Sequence, residues 1–257
     1  MRRGRIWMGW LGCMAGVLGA GAARAGEPVP PHEPAAMVAL SVEGLAMVAL
    51  SVEGLPLDEL PLPVRERVRQ VVQLPTLAAH APVEIFPCQP ELYSWLLDHH
   101  DRTALAWRRL GTRCVEITAR GNGRFGWTDG QGSEVTWGEV HCGKRMRIWY
   151  AEGMVRVGVL LPAVPVRAVV VLRHAETRDE RDRPVMAQQL SLFVHTDSKA
   201  AALAKRLFGA SLPRMADQYV AQMELFFSAL ASYLQRHPEQ VEPLLADAVQ
   251  LPPSSGR

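Results

Sequence analysis

Apolar positions along the chain recur with two periods, one typical of helices and one typical of strands. Valines three or four positions apart predict a helix over 64–74. Two shorter helices are predicted over 91–99 and 102–110, with Asp101 as the cap of the second. Each has one apolar stripe, so each is expected to pack against a core.

The central part of the chain alternates apolar and polar residues, as strands do. A short strand is predicted over 82–86, before the helix pair. The alternation is clear in CVEITA, EVTWGEV and RMRIWY, and further β-rich runs follow. These runs begin at 114, 124, 134, 145, 155, 166 and 188. In RMRIWY we expect Met146, Ile148 and Tyr150 to face inward and the arginines to face solvent, with a turn at Glu152-Gly153.

The longest apolar stripe lies near the end of the chain, over 214–236. It predicts a long helix, preceded by a shorter one over 198–208. An antiparallel sheet with one apolar face must cover that face. The pattern therefore predicts an α+β domain over 64–240, in which a curved antiparallel sheet of about six or seven strands packs against the long C-terminal helix. Residues 241–257 are expected to form a flexible tail.

The N-terminus has the pattern of a secretory signal peptide. Residues 1–25 begin with arginines, continue with an apolar run, and end in Ala23-Arg24-Ala25. A retained membrane anchor is the alternative, although the apolar run is short for a span. We expect an exported protein, periplasmic or secreted, with no stable membrane span once the signal is removed.

A proline-rich linker is predicted over 26–63. It contains AMVALSVEGL at 36–45 and the same ten residues again at 46–55. Two identical copies of one short unit do not make a solenoid, whose repeats diverge and number at least three. We interpret the copies as a duplication of a short coding stretch within a spacer.

Composition argues against nucleic-acid binding. The chain has 257 residues, of which 48% are hydrophobic, and a formal net charge of +2. Residues 1–25 hold 4 of the 28 basic residues and no acidic one, so the remainder carries 24 bases against 26 acids. A nucleic-acid footprint needs concentrated basic surface, and this balance does not provide it.

The mature part keeps three cysteines, Cys88, Cys114 and Cys142. In an oxidising compartment one pair among them can form a disulfide and leave one thiol over. Buried free thiols are the alternative. No CxxC spacing occurs, so we expect neither a redox motif nor a zinc knuckle.

Several motifs resemble catalytic or cofactor sites without the context those sites need. GNGRFG at 121–126 matches GxGxxG, but turn residues rather than a helix follow it. Asp98-His99-His100-Asp101 has the composition of a metal site, but neighbouring helical residues diverge by about 100°. His141-Cys142 lies on a predicted strand, where neighbours face opposite sides. No HExxH or GxSxG occurs. We therefore predict no catalytic residues, no metal and no cofactor.

The best polar candidates for the rim of a cavity are two histidines at strand ends and two tyrosines. His174 and His195 end strands that we expect to be neighbours. The alternative is that both are ordinary histidines at sheet edges. The full set of predicted cavity residues is Tyr150, His174, His195, Tyr219, Met223, Phe226 and Leu230.

The order of elements, with the segment FPCQPELYSWLLDHHDRTALAWRRLG, resembles the helix-grip fold of START-like and Bet v 1-like domains, the polyketide cyclase/SRPBCC superfamily. The resemblance covers about 82–238, and the extra helix over 198–208 departs from the simplest members. It implies a cavity between sheet and C-terminal helix that binds a hydrophobic small molecule or lipid. The alternatives are an envelope structural or protein-interaction module with a filled core, and a cyclase-like or hydratase-like enzyme.

Overall fold

The computed structural model describes residues 54–156, 162–197, 202, 209 and 211–246. It shows an α+β fold built on one antiparallel sheet, so the predicted fold class is confirmed. The helices are α1 (Leu62–Gln73), α2 (Pro90–Asp98), α3 (His100–Arg109), α4 (Ser211–Arg236) and α5 (Val241–Leu245). The strands are β1 (Leu77–His80), β2 (Glu84–Pro87), β3 (Thr118–Gly121), β4 (Arg124–Thr128), β5 (Glu134–Cys142), β6 (Met146–Arg156), β7 (Ala163–Arg178) and β8 (Pro184–Thr196).

Over the described residues the sheet has eight strands, in the order β1-β8-β7-β6-β5-β4-β3. The eighth, β2, also pairs with β8. Both β1 and β2 run along β8, β1 opposite its residues 191–194 and β2 opposite its residues 185–188. The sequence pattern predicts β2 but not β1, because LAAH is too short to show an alternation.

Each face of the sheet is covered by a helix and buries its own apolar cluster. One face packs against α2, α3 and α4, and we call it the α4 face. Its cluster includes Trp149, Val170 and Leu230. The α1 face packs against α1, and its cluster includes Val68 and Ile148. Successive residues of the central strands are therefore buried on alternate faces.

The predicted orientation of RMRIWY is wrong. Ile148 and Tyr150 pack on the α1 face, whereas Arg147 is only 6% exposed and lies on the same side as Trp149. Only Arg145 is exposed as expected. Alternation identifies the inner face only when the other face meets water, and here α1 covers that other face.

Glu152-Gly153 lies within a strand and does not turn the chain. The long strand β6 continues through Gly153, which pairs with Val135 of β5. A Cβ at Gly153 would lie 2.1 Å from the carbonyl oxygen of Glu134. The glycine is needed because two strands approach closely there.

The GxGxxG motif forms a hairpin, as the turn interpretation predicted. Gly121, Asn122 and Gly123 have φ values of 79°, 52° and 67°, which favour glycine and asparagine. They join β3 to β4, and the strand predicted from 114 starts only at Thr118.

The folded unit starts earlier than the predicted boundary at 64. Leu55 and Leu60 are 7% and 3% exposed and belong to the cluster on the α1 face. A 3-10 turn, Leu57–Glu59, leads directly into α1. Residues 54–63 therefore belong to the domain and not to a linker.

The folded unit also ends later than predicted. Residues 241–245 form α5, and Leu244 is buried. A guanidinium nitrogen of Arg109 donates to the carbonyl oxygens of Pro243, Leu244 and Ala246. The predicted signal peptide, the duplication up to 53, the helix over 198–208 apart from residue 202, and the tail from 247 lie outside the described residues.

Candidate functional site

A cavity lies between the sheet and α4, and we call it the α4 cavity. It has a volume of about 100 Å³ and is partly open to solvent. Strands β5 to β8 form one wall, α4 forms the opposite wall, and α3 and the segment before β3 close the sides. It is lined by His100, Val115, Ile117, Trp137, Trp149, Ala151, Val170, Leu172, Leu190, Tyr219, Gln222, Met223, Phe226 and Phe227.

The space lies beside Ala151, a small side chain of β6. Ala151 of β6 and Ala168 of β7 are direct cross-strand partners on the α4 face. Trp137 lies opposite Ala151 on the other side. The methyl group of Ala151 and the indole ring of Trp137 both line the cavity, and α4 bridges over the space beside them without filling it.

His100 is the most unusual group in the cavity wall. It is 7% exposed, and its ring stacks on Phe125 with centroids 4.8 Å apart. The indole Nε1–H of Trp137 donates to its Nδ1 at 2.8 Å. Burial lowers the pKa of His100 to about 4, so the ring is neutral at physiological pH. Its Nε2 is buried and has no partner within the described ranges.

Two polar groups of α4 also reach the cavity. The Oε1 of Gln222 is buried and, like Nε2 of His100, lacks a hydrogen-bond partner in the described part of the chain. Burial raises the pKa of Tyr219, whose phenol therefore keeps its proton. The cavity is thus an apolar chamber with a few polar atoms in its wall, which is the usual composition of a small-molecule site.

The structure brings three of the seven predicted cavity residues to the cavity. Tyr219, Met223 and Phe226 line it. Leu230 is fully buried in the same cluster but lies beyond the cavity wall. The aromatic stripe of α4 therefore packs against the sheet, as predicted.

The other three predicted cavity residues lie elsewhere. Tyr150 is on the α1 face, where the guanidinium of Arg67 sits 5.2 Å from its ring centre. His195 bonds the carbonyl oxygen of Leu74, at the end of α1. His174 faces α2 and contacts Tyr93. Tyr150 and His195 were misplaced for the same reason as RMRIWY, because the sheet is covered on both faces.

The two histidines are also far apart. The strands β7 and β8 are neighbours, as expected, but His174 pairs with Gln188 and His195 pairs with Arg167. They therefore lie towards opposite ends of the shared ladder. Burial, with the charge of Arg147, lowers the pKa of His174 to about 4.

The side chains of Asp98, His99 and His100 do not converge on one point, as expected for neighbouring helical residues. Asp98 pairs with Arg147, His99 stacks on Trp95, and only His100 enters the core. The predicted cap is wrong, since His99 occupies the cap position of α3 and Asp101 lies in its first turn.

His100 was not predicted as a cavity residue, although its position in the sequence indicates burial. His100, Thr103 and Ala104 are the buried residues on one side of α3, at the i, i+3, i+4 spacing of a buried face. Extending the apolar stripe of α3 back by one turn would have placed the imidazole in the core.

A buried arginine lies beside the cavity on the α4 face. Arg147 donates to Asp98, to Glu139 at 3.1 Å and to Ser94 at 2.7 Å. Burial opposes its charge, but the bond to Asp98 and the charges of both acids outweigh burial and raise the pKa of Arg147. The guanidinium is thus held by its own partners and is not free to bind a ligand.

A second polar cluster ties β8 to the helices. The hydroxyl of Tyr93 donates to Oε1 of Gln188, and Nε2 of Gln188 donates to Glu84 at 2.9 Å. Glu224 of α4 is 3% exposed beside them. Burial, reinforced by the charge of Glu84, raises the pKa of Glu224 to about 8.

Cys88 and Cys142 both have free thiols. Any bridge among Cys88, Cys114 and Cys142 would use at least one of these two, so the predicted pairing does not form in this structure. Cys88 is fully buried, and burial raises its pKa to about 12. It behaves as a small apolar residue, whereas Cys142 is exposed at the end of β5.

The described residues contain neither a metal-type cluster nor a membrane-spanning helix. No group of three or more histidine, cysteine, aspartate or glutamate side chains there is arranged to hold a metal ion. None of the helices described is both long enough and apolar enough to span a membrane.

Comparisons with known proteins find only distant likenesses. No protein-family model matches the sequence, and no curated protein matches it. A conserved protein of Geobacillus kaustophilus is 11% identical, with a TM-score of 0.42, over 61% of this chain and 95% of that one. A hypothetical protein of Helicobacter pylori is 13% identical, with a TM-score of 0.36, over 65% and 92%.

A third solved structure is the di-domain ARO/CYC protein StfQ of the steffimycin biosynthetic pathway. It is 12% identical, with a TM-score of 0.30, over 71% of this chain and 54% of that one. At TM-scores this low, none of the three bears on family or ligand.

Proposed function

We propose that the protein binds a small, mostly apolar molecule without covalent chemistry in the α4 cavity. The cavity itself is the observation that carries the proposal, because a sheet packed solidly against α4 would have no room for a ligand. Its volume of about 100 Å³ is below the roughly 300–1,000 Å³ of drug-sized sites. It is closer to the engineered cavity of about 150 Å³ that binds benzene.

The volume favours a compact molecule over a whole lipid. A single ring or a short branched chain fits a space of this size, and each buried CH₂ group contributes about 0.8 kcal/mol. A lipid would insert only one end of a chain. We therefore expect the ligand of the α4 cavity to be a small cyclic or short-chain compound.

Binding accounts for the cavity better than acid–base catalysis does. A general base works best when its pKa is near the operating pH, and the pKa of His100 is about 4. Its Nδ1 is already occupied by Trp137. These features favour an imidazole that recognises a ligand over one that takes up a proton.

The proposal includes membership of the START-like, helix-grip superfamily and export to the periplasm or the exterior. The element order and the long helix against the sheet support the first. The basic start, apolar run and Ala-x-Ala ending of residues 1–25 support the second. N-terminal sequencing of protein recovered outside the cytoplasm should give a mature chain that starts near Gly26. An intact Met1 would contradict cleavage.

A cavity-filling variant tests the binding proposal. Ala151 is 3% exposed and lines the cavity, so Ala151→Leu should occupy the space with protein. The probe is α-methylstyrene, and its binding is monitored by the NMR chemical shifts of the Trp149 indole. The wild type should show a saturable shift, and Ala151→Leu should lose it.

The matched control is Ala119→Leu, which adds the same groups at an exposed position of β3. It should bind as the wild type does. Thermal melts of both variants should show that each remains folded. No saturable shift in the wild type with this or other single-ring probes would overturn the proposal.

A further inference from the structure

We propose that the ligand of the α4 cavity carries an acceptor oxygen, such as a ketone oxygen, which binds the Nε2–H of His100. The inference rests on the proposed function, because it describes the chemistry of the molecule that occupies the cavity. It makes His100 a specificity residue and restricts the ligand class to compact apolar molecules with one acceptor oxygen at the buried end.

The tautomer of His100 follows from its partner. The indole nitrogen of Trp137 can only donate a hydrogen bond, and it lies 2.8 Å from Nδ1 of His100. Nδ1 must therefore act as the acceptor. A neutral imidazole carries one proton, so this proton is on Nε2. Burial keeps the ring neutral, with its pKa lowered to about 4.

The donor at Nε2 is buried and makes no hydrogen bond within the part of the chain that the structure describes. His100 is among the residues that line the α4 cavity, and its Nε2 has no partner among the residues described. Leaving a buried donor unpaired is unfavourable, and native structures rarely do so without a reason. A ligand oxygen in the cavity would satisfy it.

The surroundings give the donor its selectivity. The rings of Trp149 and Phe227 lie 5.6 Å and 5.3 Å from the imidazole, measured between ring centres. Apart from Gln222 and Tyr219, the rest of the wall is apolar. A low-dielectric wall strengthens a hydrogen bond formed inside it, so an oxygen placed here should discriminate strongly between ligands of one shape.

Two probes of the same shape isolate this hydrogen bond. Acetophenone and α-methylstyrene differ only in a carbonyl oxygen replaced by a methylene carbon. Their dissociation constants are measured with the wild type and with His100→Phe, which keeps an aromatic ring but has no donor. The preference for acetophenone over α-methylstyrene should fall by about tenfold in the variant. His195→Phe, the same exchange on the α1 face, should leave the ratio unchanged.

The outcomes separate this inference from the proposed function. If both probes bind and His100→Phe leaves their ratio unchanged, the inference is overturned and the binding proposal stands. If neither probe binds the wild type, the binding proposal is overturned as well. If only water binds the Nε2–H of His100, the inference is also overturned, because His100→Phe would not change the ratio of the two dissociation constants.

A measurement on the wild type alone covers the case in which His100→Phe does not fold. Long-range ¹H–¹⁵N spectra distinguish a protonated Nε2 from a protonated Nδ1. We expect a protonated Nε2 whose nitrogen shift changes with acetophenone and not with α-methylstyrene. A protonated Nδ1, or equal shifts with both probes, would contradict the inference.

Discussion

The side-chain nitrogen of Gln188 lies 3.1 Å from the backbone carbonyl oxygen of Glu224. This bond joins the middle of β8 to the long helix α4. Gln188 is fully buried, and its other partners are Tyr93 and Glu84. Because polar groups inside an apolar layer accept few alternative partners, this contact fixes the position of α4 along the sheet, next to the cavity.

The carboxyl of Glu224 gives the protein an unusual dependence of stability on pH. The folded state holds its proton up to about pH 8, whereas in the unfolded chain the group ionises at its ordinary value of 4.5. Between these values the folded state binds one proton more, so the free energy of unfolding falls as pH rises. His100 and His174 act in the opposite sense, since their pKa values are lowered from 6.5 to about 4.

These three groups together predict greatest stability near pH 6.5. From there to pH 8 the wild type should lose about 1 kcal/mol of unfolding free energy. The loss from Glu224 approaches about 1.4 kcal/mol per pH unit, and it is partly offset while the two histidines of the unfolded chain release their remaining protons. Glu224→Gln should remove this loss because an amide does not titrate. Urea titrations at pH 6.5 and 8 measure the difference. Glu176→Gln, at an exposed position of β7, should keep it, and equal wild-type stability at both pH values would refute the assignment.

The ion pair between Asp98 and Arg147 predicts a second stability effect. Asp98→Asn leaves a buried guanidinium with one acid fewer, although the Asp98 side chain is 49% exposed and partly screened by solvent. We expect a loss of about 1–2 kcal/mol in unfolding free energy. Asp101→Asn, which removes the weaker contact to Arg102 at 3.7 Å, should cost less than about 0.5 kcal/mol. Equal losses would show that the Arg147 cluster contributes nothing specific.

The order of helices and strands was predictable because each element has a pattern of apolar and polar residues within its own segment. Proline and glycine bound the helices α2 and α3, and the aromatic stripe of α4 has a clear helical period. The face that each strand presents to α4 was not predictable in the same way. The orientation of the strand depends on α1, which covers the opposite face. The residues of RMRIWY contain no information about a helix that lies elsewhere in the sequence.

The cavity was predictable only as a consequence of the fold class. Its position depends on Ala151 lying opposite Trp137, a pairing set by strand register. Its polar atoms depend on the contact between Trp137 and His100, 37 positions apart. Sequence alone found the α4 wall, through Tyr219, Met223 and Phe226, and missed the donor that faces it.

The start of the folded unit gives a further prediction. Leu60 is 3% exposed in the cluster on the α1 face, whereas Leu62 is 71% exposed two positions later. Leu60→Ala should lower the free energy of unfolding by about 2–5 kcal/mol, and Leu62→Ala by less than about 0.5 kcal/mol. Denaturant unfolding of the two variants measures this. If both variants lose similarly little unfolding free energy, the folded domain would start at 64, as the sequence predicted.

A crystal structure of the protein soaked with iodobenzene shows whether the α4 cavity holds a ligand, because the iodine is located by its anomalous signal. We expect one strong iodine peak in the α4 cavity, within contact of Trp149 and Phe227, and no peak there in Ala151→Leu. A cavity that is closed by side chains in the soaked wild type, with iodine absent from it, would contradict the claim that this fold holds a small apolar ligand.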